Sequence, residues 1–362
     1  MTSHPIARMM WQAVNEKIFP GAVLLVGVGD APVFFEAFGR ADIFADRRMQ
    51  RQTVFDLASL TKPLATTLAV ARLVDAGLLS LDGALAKWLP MLRGSDKAAI
   101  TPRQLLSHRS GLPAHRLFYM TLKSLPASAR KAAVLDLLRA VPLESAPGTA
   151  TCYSDLGFML LCRLVETVTA MPLDRFLAEN VYGPMGIADL FFLPLAAGTP
   201  PRDACAATEL CPLRGRLLVG EVHDDNAWAV GGVDGHAGLF GTAEAVFRLL
   251  RRLVAEHRER VPAAVFSASM LDEMLVGDRK NNFSLGFDRP AAEKASAGRY
   301  FSKDSVGHLG FTGVSFWMDL GRDVTVILLT NRVHPFRWRN RLIEFRPRIH
   351  DAIMEHFGIQ TD

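Results

Sequence analysis

The chain has 362 residues, 49% of them apolar, and 41 basic against 37 acidic side chains give a formal charge of +4. That length holds roughly two domains of about 150 residues each around a sizeable core, and so mild a charge excludes nucleic-acid binding by net charge alone. No run of 18 apolar residues occurs, and residues 1–20 lack the basic segment and apolar stretch of a secretory signal, so the sequence predicts a soluble, cytoplasmic protein without membrane insertion.

In chain order, the pattern predicts a helix over residues 6–17 and then two buried strands, 21–28 and 33–38, around a Gly29-Asp30 turn. Helical spacing follows at 64–76, stopped by Gly77, and again at 102–107, 129–140, 156–169 and 173–180, with turn clusters between. A long irregular stretch, 196–225, precedes a helix at 243–257, a hairpin of 314–320 and 324–330 around Gly321-Arg322-Asp323, and a closing helix at 347–357. The expected fold is therefore α/β (α+β): an antiparallel sheet domain flanked by helices and built from residues 1–60 and 225–362. A mainly helical domain, 61–224, interrupts it, and the site lies in the cleft between.

Four cysteines (Cys152, Cys162, Cys205, Cys211) form neither a disulfide framework nor a Cys-x-x-Cys pair, and they read as packed thiols. Cys205, Cys211 and His223 fit no standard zinc spacing, so no metal or other cofactor is expected. Six arginines, Arg332, Arg337, Arg339, Arg341, Arg346 and Arg348, crowd the end of the chain and read as a solvated face of the last helix and its approach.

Chemistry concentrates in three motifs. Ser59-Leu60-Thr61-Lys62 lies where a polar loop enters a helix, with Pro63 marking the boundary, so Ser59 and Lys62 share one face at a helix N-terminus that favours negative charge. A second Ser-x-x-Lys, Ser128 to Lys131, shows how readily the bare pattern arises; context decides for Ser59. A serine hydroxyl needs a base, and Tyr153 of Tyr153-Ser154-Asp155 offers one, since a nearby Lys62 ammonium should lower its phenol pKa. His308-Leu309-Gly310-Phe311-Thr312-Gly313 leads into the last hairpin, where a glycine-rich strand edge can approach a ligand. The competing copy His236-Ala237-Gly238 is followed by a helix rather than a strand.

Together these motifs resemble those of the serine β-lactamase and penicillin-binding-protein superfamily, in its class C-like branch. Leu105-Leu106-Ser107-His108-Arg109-Ser110-Gly111-Leu112 and Pro147-Gly148 ahead of Tyr153 fit the same pattern. By this likeness Ser59 is the acylated nucleophile, Lys62 and Tyr153 are its proton partners, and His308 completes the catalytic set. The oxyanion is then held by the backbone N–H groups of Ser59 and Phe311, with Asp155, Gly310 and Thr312 toward the substrate. Asp155 stands where asparagine is frequent and should keep Lys62 protonated, favouring a charge-stabilising role. His308 replaces a common lysine, which weakens an antibiotic-hydrolysing reading.

The segments around Val222-His223-Asp224-Asp225-Asn226, Gly235-His236 and Asn331-Arg332 resemble a subgroup that includes muramyl-peptide amidases and carboxypeptidases, which implies that His223, Asp224 and Asn226 border the substrate mouth or hold a loop there. The resulting expectation is a metal-free serine hydrolase acting through an acyl-enzyme on a small-molecule or muropeptide amide or ester. A small-molecule esterase, a β-lactamase and a non-catalytic muropeptide-binding protein are the alternatives.

Overall fold

The structure, a computed structural model, describes residues 4–193, 202–261, 264–277, 284–293, 295–338 and 340–359. Its first long apolar run, Gly21–Val28, is buried at every position but the last. Continuous burial requires cover on both faces and partners on both edges, and all are present. Leu24 stands opposite Glu36 of Ala31–Asp42 on one side and opposite Leu328 of Val324–Thr330 on the other, both pairings antiparallel. The six-stranded sheet runs Arg47–Arg48, Ala31–Asp42, Gly21–Val28, Val324–Thr330, Ser315–Asp319, Val306–Leu309. The early and late parts of the chain thus meet in its middle, and Val306–Leu309 forms one edge.

Side-chain alternation along these strands divides the core. Ala22, Leu24 and Val26 pack with Ile6 and Met10 of the helix Pro5–Asn15 and with Ile349 and Ile353 of the last helix. Val23, Leu25, Ile327 and Leu329 face the opposite layer, with Leu249 and Leu253 of Ala243–His257, Leu68 of Thr67–Asp75 and Leu160 of Asp155–Thr169. An antiparallel sheet flanked by helices is therefore the architecture, as the periodicity implied.

Two stretches differ from the sequence reading. The segment expected to be irregular holds a hairpin, Ala207–Cys211 with Arg216–Val219; residues 196–201 of it lie outside the described residues. The closing helix begins at Leu342, not at Pro347, which sits inside it. Buried Leu342, Phe345 and Arg346 extend the helix across the proline, whose missing hydrogen bond falls to the carbonyl of Ile343, a residue 63% exposed. No single helix among the described residues is long and apolar enough to cross a membrane.

A small sheet matters most for the site. Phe55–Asp56 pairs with Leu239–Gly241, which also pairs with Leu190–Phe192. It delivers the chain to Ser59 three residues after Asp56. A short strand, not a helix directly, thus follows the His236 segment.

Candidate active site

Ser59 does not open a regular α-helix. It lies in a single 3-10 turn, Ala58–Leu60, followed by a π-helical turn, Lys62–Thr66, and only then by the α-helix Thr67–Asp75. Pro63 supplies a reason, since without an N–H it cannot bond to the carbonyl four residues back, that of Ser59. Ala58 takes φ +46°, the left-handed region, at a cost of roughly 1–2 kcal/mol for a residue with a Cβ. Asp56 holds it there: Oδ1 accepts the Ala58 N–H at 2.8 Å and Oδ2 the His223 N–H at 2.6 Å. Burial pushes the Asp56 carboxyl above its ordinary value against the pull of both backbone bonds. Thr312 belongs to this scaffold as well. Its hydroxyl donates to the Asp56 carbonyl at 2.8 Å, so its side chain does not face substrate as expected.

Lys62 is fully buried, and its Nζ lies 3.0 Å from Ser59 Oγ, 2.8 Å from Asp155 Oδ1 and 3.2 Å from the His236 carbonyl. The Tyr153 hydroxyl is hydrogen-bonded to both Lys62 and Ser59. Burial opposes the Lys62 charge, but the Asp155 carboxylate and Tyr153 outweigh it and hold the amine above its usual range. Asp155 shows the converse: burial would raise it, yet Lys62, His115 and His236 keep it well below the usual carboxylate range. The arrangement is a fixed ion pair with a serine hydroxyl resting on its ammonium.

The phenol departs from expectation. Burial raises the Tyr153 pKa, and the Lys62 charge that was predicted to lower it offsets only part of that, with Asp155 adding to the rise. The residue keeps 36% of its surface exposed, so the burial acts at the hydroxyl end enclosed by Lys62 and Ser59. Tyr153 rests neutral.

His108 explains how Tyr153 is placed. It adopts φ +57°, its carbonyl accepts the Cys152 N–H at 2.8 Å and its Nδ1 accepts the Ser154 N–H at 3.0 Å. Its ring centroid is 4.5 Å from that of Tyr153. Ser154 then caps the helix Asp155–Thr169 through the Gly157 N–H at 3.3 Å, which points Asp155 at Lys62 from the first turn.

His308 reaches the site from the sheet edge, its ring 5.9 Å from Tyr153. Burial and then the Lys62 charge push its imidazole down to about 3, so it is neutral. Gly310 follows where the strand meets the nucleophile turn, and a Cβ there would stand 2.9 Å from the Leu57 carbonyl and 2.4 Å from Val314. Phe311, half exposed, stacks on His223 with centroids 5.6 Å apart.

These groups open onto a cleft of about 840 Å³. His223, Asp224 and Asn226 line it, with differing employment. His223 Nε2 is 3.1 Å from Glu209, and Asp224 Oδ1 is 2.8 Å from His236 Nε2 and accepts the Ala227 N–H. The Asn226 amide spans the Tyr119 N–H at 2.9 Å and the Arg116 carbonyl at 2.8 Å, which fixes the loop over the cleft rather than leaving it for a ligand. His236, set aside in the sequence as a copy of the His308 motif, lies in the same cleft and supplies the carbonyl beneath Lys62.

The arginine cluster is not simply a solvated face. Arg341 and Arg348 are exposed, but Arg332 and Arg346 are 7% and 6% exposed and line the cleft beside Arg337; Arg339 lies outside the described residues. Arg337 is neutralised by Glu209, 2.7 Å away. Arg346 Nε has no hydrogen-bond partner among the described residues, and burial with Arg332 nearby pulls the guanidinium down to about 10. The other Ser-x-x-Lys sits on an exposed helix, with Lys131 paired to Glu166. Among the described residues no group of His, Cys, Asp and Glu side chains is arranged to hold a metal ion.

Ser59, Lys62, Tyr153 and Asp155, drawn from two distant segments, therefore meet, with His308, Gly310 and Phe311 on one wall of the cleft. Residues 6–345 match the Beta-lactamase family model. The chain belongs to the beta-lactamase family. Among its relatives, the N-acetylmuramyl-L-alanine amidase of Bacillus subtilis (strain 168) is 30% identical over 346 residues, 87% of this chain and 78% of that protein. A putative D-alanyl-D-alanine carboxypeptidase of Escherichia coli (strain K12) is 30% identical over 345 residues, 87% of this chain and 79% of that one. In fold it is similar to EstCE1, a hydrolase with promiscuous acyltransferase activity, with TM-score 0.74, 22% identity and coverage of 96% and 97%. A penicillin-binding protein homologue from Pyrococcus abyssi gives TM-score 0.72 at 19% identity, covering 99% of this chain and 78% of that one. This beta-lactamase-family member is a serine hydrolase that works through an acyl-enzyme on amide or ester bonds.

Proposed function

We propose that Ser59 is the residue acylated and that the acyl donor is a peptidoglycan-derived peptide, cleaved at an amide or ester bond. The hydrogen-bonded set of Ser59 Oγ, the Lys62 ammonium at 3.0 Å and the Tyr153 hydroxyl carries this reading. With Lys62 locked as a cation, the proton route runs through the neutral phenol. Ser59 Oγ attacks the carbonyl carbon and passes its proton to the Tyr153 oxygen while the Tyr153 proton moves to the leaving nitrogen or oxygen. The Tyr153 proton departs ahead of the arriving Ser59 proton, so the Lys62 charge stabilises the phenolate character that develops on the oxygen in between, and the Ser59 and Phe311 N–H groups take the oxyanion. Deacylation reverses the relay with water as the nucleophile.

The names of the amidase and carboxypeptidase relatives support a cell-wall peptide as substrate. So does the cleft wall that carries Arg332 and Arg346, because such peptides bear free carboxylates and a buried guanidinium gains most from an anionic ligand. The test is intact-mass analysis with a muramyl tripeptide, short acyl nitrophenyl esters and a chromogenic cephalosporin side by side. The reading expects an acyl adduct on Ser59, release of an amine or amino acid from the muropeptide, and loss of both in Ser59→Ala. A Ser59→Ala protein that hydrolyses at the wild-type rate, or a muropeptide bound without product, refutes it.

A further inference from the structure

Two atoms in the cleft wall lack the hydrogen bonds their burial demands, and they face each other. Asp288 Oδ1 and His308 Nε2 have no hydrogen-bond partner among the described residues and stand 3.8 Å apart. Both residues line the cleft with Ser59 and Tyr153. Their placement is fixed by the backbone: Asp288 pairs antiparallel with Gly307 through N–H to carbonyl bonds of 2.8 and 2.9 Å, beside the edge strand that carries His308. His308 Nδ1 lies 2.8 Å from the Leu309 carbonyl, an acceptor only, so Nδ1 bears a hydrogen and Nε2 turns its lone pair or a second N–H toward Asp288. A lone pair facing a bare carboxylate is repulsive; one proton between them removes the repulsion.

We propose that Asp288 and His308 hold a single proton between them and act as a positioning pair: with it, the strand-edge wall is electrically neutral, and without it the wall turns anionic beside Ser59 and substrate is turned over poorly. The surroundings favour the one-proton state near neutral pH. Burial pushes the Asp288 carboxyl up to about 7, with Lys62 opposing, while burial and then Lys62 hold His308 at about 3. The proton therefore resides on the acid and is lost as pH rises through about 7.

Other charges facing the pair do not replace this role. Lys62 is committed to Asp155 at 2.8 Å, and His108 is kept neutral by burial, Lys62 and His308. Tyr153 rests neutral against the His308 ring, Phe316 stands opposite His308 on the adjoining strand, and Arg289 turns to the Val276 carbonyl. Losing the proton would place a net negative charge where the phenol must acquire anionic character and where an anionic substrate must approach, both unfavourable.

The kinetic half of the test rests on the acyl-enzyme reading; the spectroscopic half does not. Infrared difference spectra of the full chain, titrated across the neutral range, are expected to contain a protonated-carboxyl band that disappears with a midpoint near neutrality and is missing in Asp288→Asn. For a neutral nitrophenyl ester, kcat/KM of the wild type is expected to fall about tenfold per pH unit above that midpoint, and Asp288→Asn to remove this limb while the acid side keeps its shape. A wild-type spectrum without such a band, or the same alkaline limb in folded Asp288→Asn, overturns the proposal. Should Asp288→Asn not fold, His308→Leu, which deprives the acid of its acceptor, must move the band's midpoint, and an unmoved midpoint overturns it equally. A titrating band in a protein that hydrolyses nothing refutes the acyl-enzyme reading and leaves the shared proton standing.

Discussion

Asp56→Asn tests whether a buried carboxylate two residues before Ala58 holds the nucleophile in place. In the wild type its two oxygens accept the Ala58 N–H at 2.8 Å and the His223 N–H at 2.6 Å. The amide keeps one acceptor and turns its NH2 toward the other donor, so one charge-assisted bond worth roughly 1.5–3 kcal/mol is lost and a buried N–H is left unpaired. Relief of the burial that raises the Asp56 carboxyl returns about 1 kcal/mol, for a net loss of about 2 kcal/mol. That is comparable with the roughly 1–2 kcal/mol needed to hold Ala58 at positive φ, so the turn relaxes and Ser59 Oγ leaves its place on Lys62. A displacement near 1 Å at a reacting atom lowers turnover by about a hundredfold. Urea unfolding gives the stability, and the burst of nitrophenolate with a short acyl ester gives the fraction of competent Ser59. A variant within about 0.5 kcal/mol of wild type with an undiminished burst would mean that Asp56 does not hold the turn.

Tyr153→Phe is expected to lower turnover by at least about a hundredfold, as for loss of a general base, with the Ser59 burst slowed alike; a loss below about tenfold counts against the relay. Arg346→Met removes a buried cation whose Nε has no hydrogen-bond partner among the described residues, so thermal unfolding should show a protein more stable by about 1–2 kcal/mol while KM for a muramyl tripeptide rises and that for a neutral ester does not. For Asp288 the folded pKa, about 7, is above its unfolded value, so the folded state binds the proton more tightly and stability falls as pH rises through that range. Asp288→Asn should therefore be the more stable protein at alkaline pH, by about 2 kcal/mol once the partial exposure of the carboxyl is discounted, with the advantage vanishing in acid.

Much of the frame was legible because it rests on local pattern. The apolar runs Gly21–Val28 and Val324–Thr330 are uninterrupted and bounded by turn residues, and they proved to be neighbours in the centre of one sheet. Ser59, Lys62, Tyr153 and Asp155 were legible for a different reason: their residue types and spacing form motifs, and the geometry brings them within hydrogen-bonding distance. Asp288 carries no motif. Its role depends on an isolated pairing with Gly307 across the sheet edge, which no local spacing encodes. Asp56 likewise acts through partners at Ala58 and His223, the second 167 residues away in the chain.

The two electrostatic misreadings share one physical cause. Sequence spacing reveals which charges can meet, but not how much water each keeps. Tyr153 was expected to be acidified by Lys62, yet burial of its hydroxyl outweighs that charge. The late arginines were expected in solvent, yet Arg332 and Arg346 are folded into the cleft wall. Both corrections bear on chemistry in the same direction. Lys62 and Asp155 cancel as a fixed pair at 2.8 Å, the phenol and imidazole rest neutral, and Arg346 brings a buried positive charge to the cleft wall. A neutral relay beside a cationic wall has a consequence: the carboxylate next to the serine, Asp155, is already paired with Lys62, so the negative charge that forms during attack shares that ammonium with a resident partner rather than meeting an unpaired anion.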